Sequence, residues 1–342
     1  MASSPIKAII PVAGAGTRLR PLTYTQPKPL IPVAGKPIIS FIIDQLLSVG
    51  VEDFVFIIGY LGEKIRDYVN QAYPELKATF VEQVERLGSA HAIWLASDAW
   101  REAEKVVVFF GDVLIDAPLS NIIHHPNSCL AVKRVDDPRQ FGVVELEDDG
   151  SMLTVRRVVE KPKIPKSDLA MVGVYAIREV GAFYDALTFN ITRQISTHGE
   201  YPLTDVLMRM IEQGIRFSTL TVDNWFDCGQ KSVLLDTNAI FLDRIGYATE
   251  DPGPYDNTIV IHPVSIGKNC QISHAIIGPH VTIGNNVQVS NAIVKDSIIG
   301  NYTSIREVIL HRSIVGNDTS ITGIKQSLNI GDNTEIDFGN AT

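Results

Sequence analysis

The feature that most constrains the fold of this 342-residue chain is a six-residue aliphatic beat in its last third. Ile266-Gly267, Ile277-Gly278, Ile283-Gly284, Ile299-Gly300, Val315-Gly316 and Ile330-Gly331 recur there. Further aliphatics follow six residues on at Ile272, Val289, Ile305, Ile321 and Ile336. Such a beat is one face of a triangular β-solenoid with small or polar residues at its corners. Successive Gly267, Gly284, Gly300, Gly316 and Gly331 predict coils slightly shorter than three hexads, and the beat slips near Ala275 and Ala292.

Nothing before residue 245 shares that grammar. Short apolar runs alternate with helical periodicity instead: strands at 6–12, 54–58 and 106–110, and helices at 37–49, 63–73, 89–100 and 232–245. This alternation predicts an α/β layered sheet covered by helices, with ligands at the carboxyl ends of its strands. Gly246 to Asn257, rich in Gly and Pro, reads as a linker. The expected domains are therefore 1–245, a linker at 246–257, and 258–342.

The net charge of −9 argues against general nucleic-acid binding. No apolar run approaches membrane-span length, and the start lacks an apolar segment behind basic residues, so the cytoplasm is the expected location. Three scattered cysteines point to neither a disulfide framework nor a thiolate zinc site. The first acidic residue is Asp44, whereas Lys7, Arg18, Arg20, Lys28 and Lys36 precede it. A stretch purely cationic within an acidic chain, interleaved with Gly and Pro, points to an anionic ligand.

The first strand runs into Ala13-Gly14-Ala15-Gly16-Thr17-Arg18. Glycines at such a turn let backbone N–H groups approach an anion, and an arginine adds a charged fork. The Walker spacing G-x-x-x-x-G-K-[ST] is absent here, and prolines at 21, 27, 29 and 32 forbid the long helix that the dinucleotide-binding form needs after its glycines. Phe109-Phe-Gly-Asp112 and Trp225-Phe-Asp227-Cys-Gly229 each set a carboxylate at a strand end, and such hard oxygens suit Mg²⁺. Cys228 has no histidine partner nearby in sequence and is not read as a nucleophile.

Gly14-Ala-Gly-Thr-Arg-Leu-Arg-Pro-Leu-Thr23, followed by Pro27-Lys-Pro-Leu-Ile-Pro-Val-Ala-Gly-Lys-Pro37, resembles the signature of the sugar-phosphate nucleotidyltransferases. This family includes glucose-1-phosphate thymidylyltransferases, UDP-sugar pyrophosphorylases and mannose-1-phosphate guanylyltransferases. The resemblance extends from residue 6 to about 240. It implies a Rossmann-like mixed, mostly parallel sheet, followed here by a left-handed parallel β-helix.

It also implies roles. Arg18, Lys28 and Lys161 would be catalytic. Ala13, Gly14, Gly16, Thr17, Gln83, Gly88 and Ser89 would bind the nucleotide, with Gln83 reading a pyrimidine edge. Gly142, Glu160, Lys161 and Tyr175 would hold the sugar phosphate, while Asp112 and Asp227 would bind Mg²⁺. Pro202 stands where the family's Gly-Glu-x-Glu segment has its second acid, which leaves the sugar open.

The expected reaction joins a nucleoside triphosphate to a sugar 1-phosphate, with glucose 1-phosphate and dTTP or UTP as best substrates. The alternatives are mannose-1-phosphate guanylyl transfer, an added acetyltransferase in the β-helix, and a non-catalytic nucleotide-sugar sensor. His262, His274, His280 and His311 would have to serve an acetyltransferase, but scattered solenoid histidines are more often surface corners. The tail is read instead as an assembly module of a homo-oligomer.

Overall fold

The computed structural model describes residues 6–148, 153–197, 199–245, 253 and 255–323. The chain separates into two compact units that divide between Ile245 and Gly246. The expected repeats at Ile330-Gly331 and Ile336, and most of the expected linker, lie outside the described residues.

The first unit is built on a mixed nine-stranded sheet. Ile6–Pro11 lies between Asp53–Ile58 and Lys105–Phe109 and is parallel to both. Lys77–Glu82 extends this parallel half. Leu169–Ile177, buried along its whole length, runs antiparallel to Lys105–Phe109 and carries the other half of the sheet. Runs of Val, Ile and Phe buried on both faces explain why these segments read as continuous apolar strings.

Helix Ile38–Ser48 places Ile38, Ile39, Ile42, Ile43 and Leu46 in the core at helical spacing. The helix expected over 89–100 is interrupted. Ser89–Leu95 and Ser97–Trp100 meet at Ala96, and the Trp100 indole N–H donates to the Ile93 carbonyl at 2.9 Å. In an unbroken helix that carbonyl would accept from the backbone four residues on. Seating Trp100, which is fully buried, decides the break.

In the second unit short parallel strands form three four-stranded sheets, the wall pattern of a left-handed parallel β-helix. Val264 pairs with Val281, 17 residues on, while Thr282 pairs with Ile298 and Ile298 with Ile314, each 16 on. Ile272 to Ile277 and Val289 to Val294 are five-residue steps between inward positions, so the slip at Ala275 and Ala292 is a repeated feature of the described coils. Coils that pass through Pro263 and Pro279 carry one residue more than those turning at Asp296 and Arg312. Asn285, Asn301 and Asn317 each accept a backbone N–H from the preceding coil at 2.7–2.8 Å, which ties the coils at one corner. Asp256, at the end of the expected linker, already bridges Ser273 in parallel.

Candidate active site

The strands Ile6–Pro11 and Lys105–Phe109 end side by side, and their carboxyl ends open into a cavity of ≈ 550 Å³. The loop from Val12 to Arg18 forms one wall, and Phe110-Gly111-Asp112 another. Gly16 has φ +61, and a Cβ there would stand 2.9 Å from Thr23 Cγ2. The Thr23 hydroxyl donates to the Gly16 carbonyl at 2.8 Å and closes the loop on itself. Gly111 is required by closeness alone, since its Cβ would lie 2.2 Å from Val12 Cγ1. Two loops from neighbouring strands can approach this tightly only without that carbon.

Lys28 follows Pro27 at the start of a short 3₁₀ turn and is only 8% exposed. Its ammonium donates to Asp112 Oδ2 at 2.6 Å and lies 3.8 Å from Asp227 Oδ1. Arg18, largely exposed, reaches within 3.8 Å of Asp227 Oδ2. The Gly229 N–H donates to Asp227 Oδ1 at 3.1 Å, and the Cys228 N–H donates to the Asp112 carbonyl at 3.1 Å. The two aspartate-bearing turns are thus joined through the backbone, and both carboxylates face one ammonium.

Of the five early cations, only Arg18 and Lys28 line the cavity. Lys7 pairs with Asp53, Lys36 with Asp44, and Arg20 lies over the Tyr24 ring. The bias against acidic residues before Asp44 is therefore only partly a property of this site. Cys228 is fully buried, and burial pushes its thiol up to about 12. A thiol kept protonated in this way is no nucleophile.

Gln83 terminates the edge of the parallel half and is 5% exposed. Its side-chain Nε2 donates to the Gly88 carbonyl at 3.2 Å and also lies 3.2 Å from His91 Nδ1. Burial lowers the His91 pKa. The Tyr201 N–H donates to Leu87, the Ala90 N–H to Tyr201, and the Leu203 N–H to Ser89 Oγ at 3.0 Å. These bonds tie the 83–89 loop to the 200–203 segment. Ala13, Gly14, Gly16, Thr17, Gln83, Gly88 and Ser89 all line the first cavity.

A second cavity of ≈ 290 Å³ takes in Gly142, Glu160, Lys161 and Tyr175. Glu160 accepts from the Thr204 hydroxyl at 3.0 Å, and the Lys161 ammonium lies 3.4 Å from its other oxygen. Lys161 has φ +41, a left-handed backbone uncommon for a residue with a side chain, and lines this cavity with its side chain partly exposed. Tyr175 is buried edge-on to Phe110 at 5.8 Å, and desolvation raises its pKa, so its hydroxyl stays protonated. Arg18, Ser89, Phe110, Asp112 and Glu200 border both cavities. Ligands in the two cavities would meet at Arg18 and Asp112.

Sequence reasoning missed Arg86 in the first cavity, and Trp225 and Thr204 in the second. Arg86 lies between Gln83 and Gly88, both expected to bind the nucleotide, so position gave a signal for it. Trp225 packs edge-on to Phe141 at 4.7 Å, a contact between residues 84 apart that no local pattern reveals.

Among the described residues no group of three or more His, Cys, Asp or Glu is arranged to hold a metal. The two carboxylates nonetheless fit a divalent cation in ligand chemistry, because both are hard oxygen donors drawn to one positive charge, the Lys28 ammonium. Among the same residues no helix is long and apolar enough to cross a membrane.

Residues 7–244 match the nucleotidyl transferase family. The chain is 31% identical to a glucose-1-phosphate thymidylyltransferase of Streptomyces antibioticus, over 81% of this chain and 77% of that protein. It is 30% identical to the protein of the same name in Streptomyces griseus, covering 86% and 87%. It is also 35% identical to the bifunctional protein GlmU of Methanocaldococcus jannaschii, over 74% of this chain but 58% of that one. The structure of a UDP-glucose pyrophosphorylase complexed with UDP-glucose superposes with a TM-score of 0.60 at 21% identity, covering 70% of this chain and 98% of that chain, and shares its fold. With the signature loops in order and the family match spanning the whole first unit, the chain belongs to the nucleotidyl transferase family and is a sugar-phosphate nucleotidyltransferase.

Proposed function

We propose that the protein condenses a nucleoside triphosphate with a sugar 1-phosphate and releases pyrophosphate, with glucose 1-phosphate and dTTP or UTP as its substrates. The observation that carries this reading is the shared border of the two cavities, where Arg18 and Asp112 serve both. The names of the two Streptomyces relatives support glucose 1-phosphate and dTTP. The buried amide of Gln83 supports a pyrimidine, whose edge offers one donor beside one acceptor.

In this reading the triphosphate lies along the 13–17 loop, and Lys161 holds the sugar phosphate above Glu160, which accepts from sugar hydroxyls. An oxygen of the sugar phosphate attacks the α-phosphorus in line. The new O–P bond forms as the bond to pyrophosphate breaks. That nucleophile is already an anion at neutral pH, so no general base is needed. Arg18 and Lys28 neutralise charge that grows on the reacting phosphates, and the fixed loops supply alignment. Asp112 and Asp227 would hold Mg²⁺, which supplies further charge neutralisation and a template for the phosphates. Lys28 then shifts its donation from Asp112 to phosphate oxygens. The protein acts in the cytoplasm as a homo-oligomer assembled through its β-helix.

The test is pyrophosphate release with a panel of sugar 1-phosphates and nucleoside triphosphates, with and without Mg²⁺. Release that requires glucose 1-phosphate, dTTP or UTP, and Mg²⁺ supports the reading. Release only with GTP and mannose 1-phosphate overturns the substrate choice, and no release with any pair overturns the activity.

A further inference from the structure

The Gln83 amide takes its orientation from two neighbours in sequence. Its side-chain nitrogen lies 3.2 Å from the Gly88 carbonyl oxygen and 3.2 Å from His91 Nδ1. A carbonyl can only accept, so the half of the amide that faces Gly88 is the NH₂. That carbonyl is itself fixed, because it also accepts the Ala92 N–H at 3.2 Å at the start of helix Ser89–Leu95. Gly88 has φ +102, and a Cβ there would stand 2.7 Å from the Tyr201 carbonyl oxygen. The acceptor is thus held from both sides and does not swing away to accommodate a turned amide.

The second hydrogen of the NH₂ meets His91. Two N–H groups facing each other at 3.2 Å would repel, so Nδ1 presents its lone pair and the ring proton sits on Nε2. The surroundings favour this neutral ring. His91 is half-buried beside Trp94 and Tyr201, with ring centroids 6.3 Å and 6.4 Å away. Burial lowers its pKa against the opposing pull of Glu85. Both amide hydrogens are then taken up within the protein. What Gln83 can offer to the cavity it lines is its carbonyl oxygen Oε1, an acceptor.

We infer that His91 is a positioning residue that locks the Gln83 amide with Oε1 left for the base, and that this lock selects nucleoside triphosphates whose base carries an N–H on its Watson–Crick ring nitrogen. The inference rests on the proposal that the first cavity holds the nucleotide, and it names what Gln83 recognises there. Thymine and uracil carry that N–H at N3 and guanine at N1, whereas cytosine and adenine present a lone pair at the same place. Against those two bases Oε1 sets lone pair against lone pair, a mismatch that a buried polar site penalises. An amide that could turn over would offer its NH₂ instead and accept cytosine. Holding it still is therefore what makes it selective. The lock separates keto bases from amino bases, and leaves uracil against guanine to the rest of the cavity. Among the described residues His91 does not itself line that cavity, so it acts through Gln83.

Pyrophosphate release tests the inference, with kcat/KM measured for UTP, dTTP and CTP in the parent, His91→Leu and His91→Asn. His91→Leu removes the acceptor at similar size, and His91→Asn returns one near the position of Nδ1. We expect His91→Leu to lower the preference for UTP or dTTP over CTP by about tenfold, the worth of one hydrogen bond. The change should fall on KM rather than kcat, and His91→Asn should restore most of the preference. A preference unchanged in His91→Leu, or lost equally in His91→Asn, overturns the inference while the nucleotide site stands. A parent that favours CTP overturns it outright. No release with any sugar 1-phosphate and nucleoside triphosphate overturns the nucleotide reading, and the inference with it. A second measurement needs no variant to fold: nitrogen–proton correlation spectra of the histidine-labelled parent should show His91 with its proton on Nε2 at neutral pH. A proton on Nδ1 overturns the lock.

Discussion

The coils of the β-helix and the cavity of the first unit use buried polar groups in opposite ways. In the β-helix, buried hydroxyls serve the backbone of adjacent coils: Ser297 donates to Lys295 and accepts from the Ser313 N–H, and Thr303 donates to the Gly316 carbonyl. In the first unit, Lys28 and Gln83 are as buried, yet their side chains border a cavity. Polar burial in a repeat closes its hydrogen bonds coil by coil, because each coil meets only its neighbours. Polar burial in the first unit gathers charge from four loops far apart in sequence. The first arrangement provides stability, and the second keeps charge poised for a ligand.

The sharpest way to break this comparison is to remove the charges. Asp112→Asn or Arg18→Ala should reduce turnover by about 10²-fold or more in pyrophosphate release, with the melting temperature maintained. Near-parent turnover in both would remove these residues from the reaction. The converse probe is Ile283→Ala inside the β-helix. A truncation at this fully packed site should cost about 2–5 kcal/mol of β-helix stability in denaturant unfolding, while leaving the nucleotide KM unchanged. A comparable rise in KM would mean that the units are not functionally separable.

A smaller effect is expected at Gln83. Gln83→Ala should lower kcat/KM for the nucleotide by about tenfold, in line with the loss of one or two base hydrogen bonds, and reduce discrimination between pyrimidine and purine triphosphates. Equal discrimination in the variant would assign Gln83 to holding its loop. The smallest effect concerns the thiols. Burial pushes Cys129 to about 11 and Cys228 up to about 12, whereas an unfolded thiol titrates near 8.5. The folded state then keeps protons that the unfolded state loses, so stability is intact below about pH 8.5 and falls as pH rises toward those values. Cys129→Ala with Cys228→Ala should flatten that alkaline decline. At neutral pH, alkylation should mark the half-buried Cys270 first.

Much of this was legible in particular residues. The inward Ile266, Ile283 and Ile299 announced the coils, since a solenoid repeats one local environment and the sequence must repeat with it. Gly16 and Gly111 were legible as turn residues because their spacing is local. What stayed hidden depended on distance in the chain. Nothing near Lys28 says that Asp112 and Asp227 will face its ammonium, and nothing near Trp225 points to Phe141. The break at Ala96 was equally illegible, because the pocket that receives Trp100 comes from other elements, Phe183 among them.

The sequence by itself determined the two grammars, strand–helix alternation and the hexad beat, because hydrophobic period is a local property that each element must satisfy alone. It also determined the loops whose glycines and prolines allow one conformation. Only the tertiary structure decided which of the early cations reach the cavity and where the two cavities share a border. Those are relations between segments, set by register and packing, and the period of one segment does not reveal what another will bring to it.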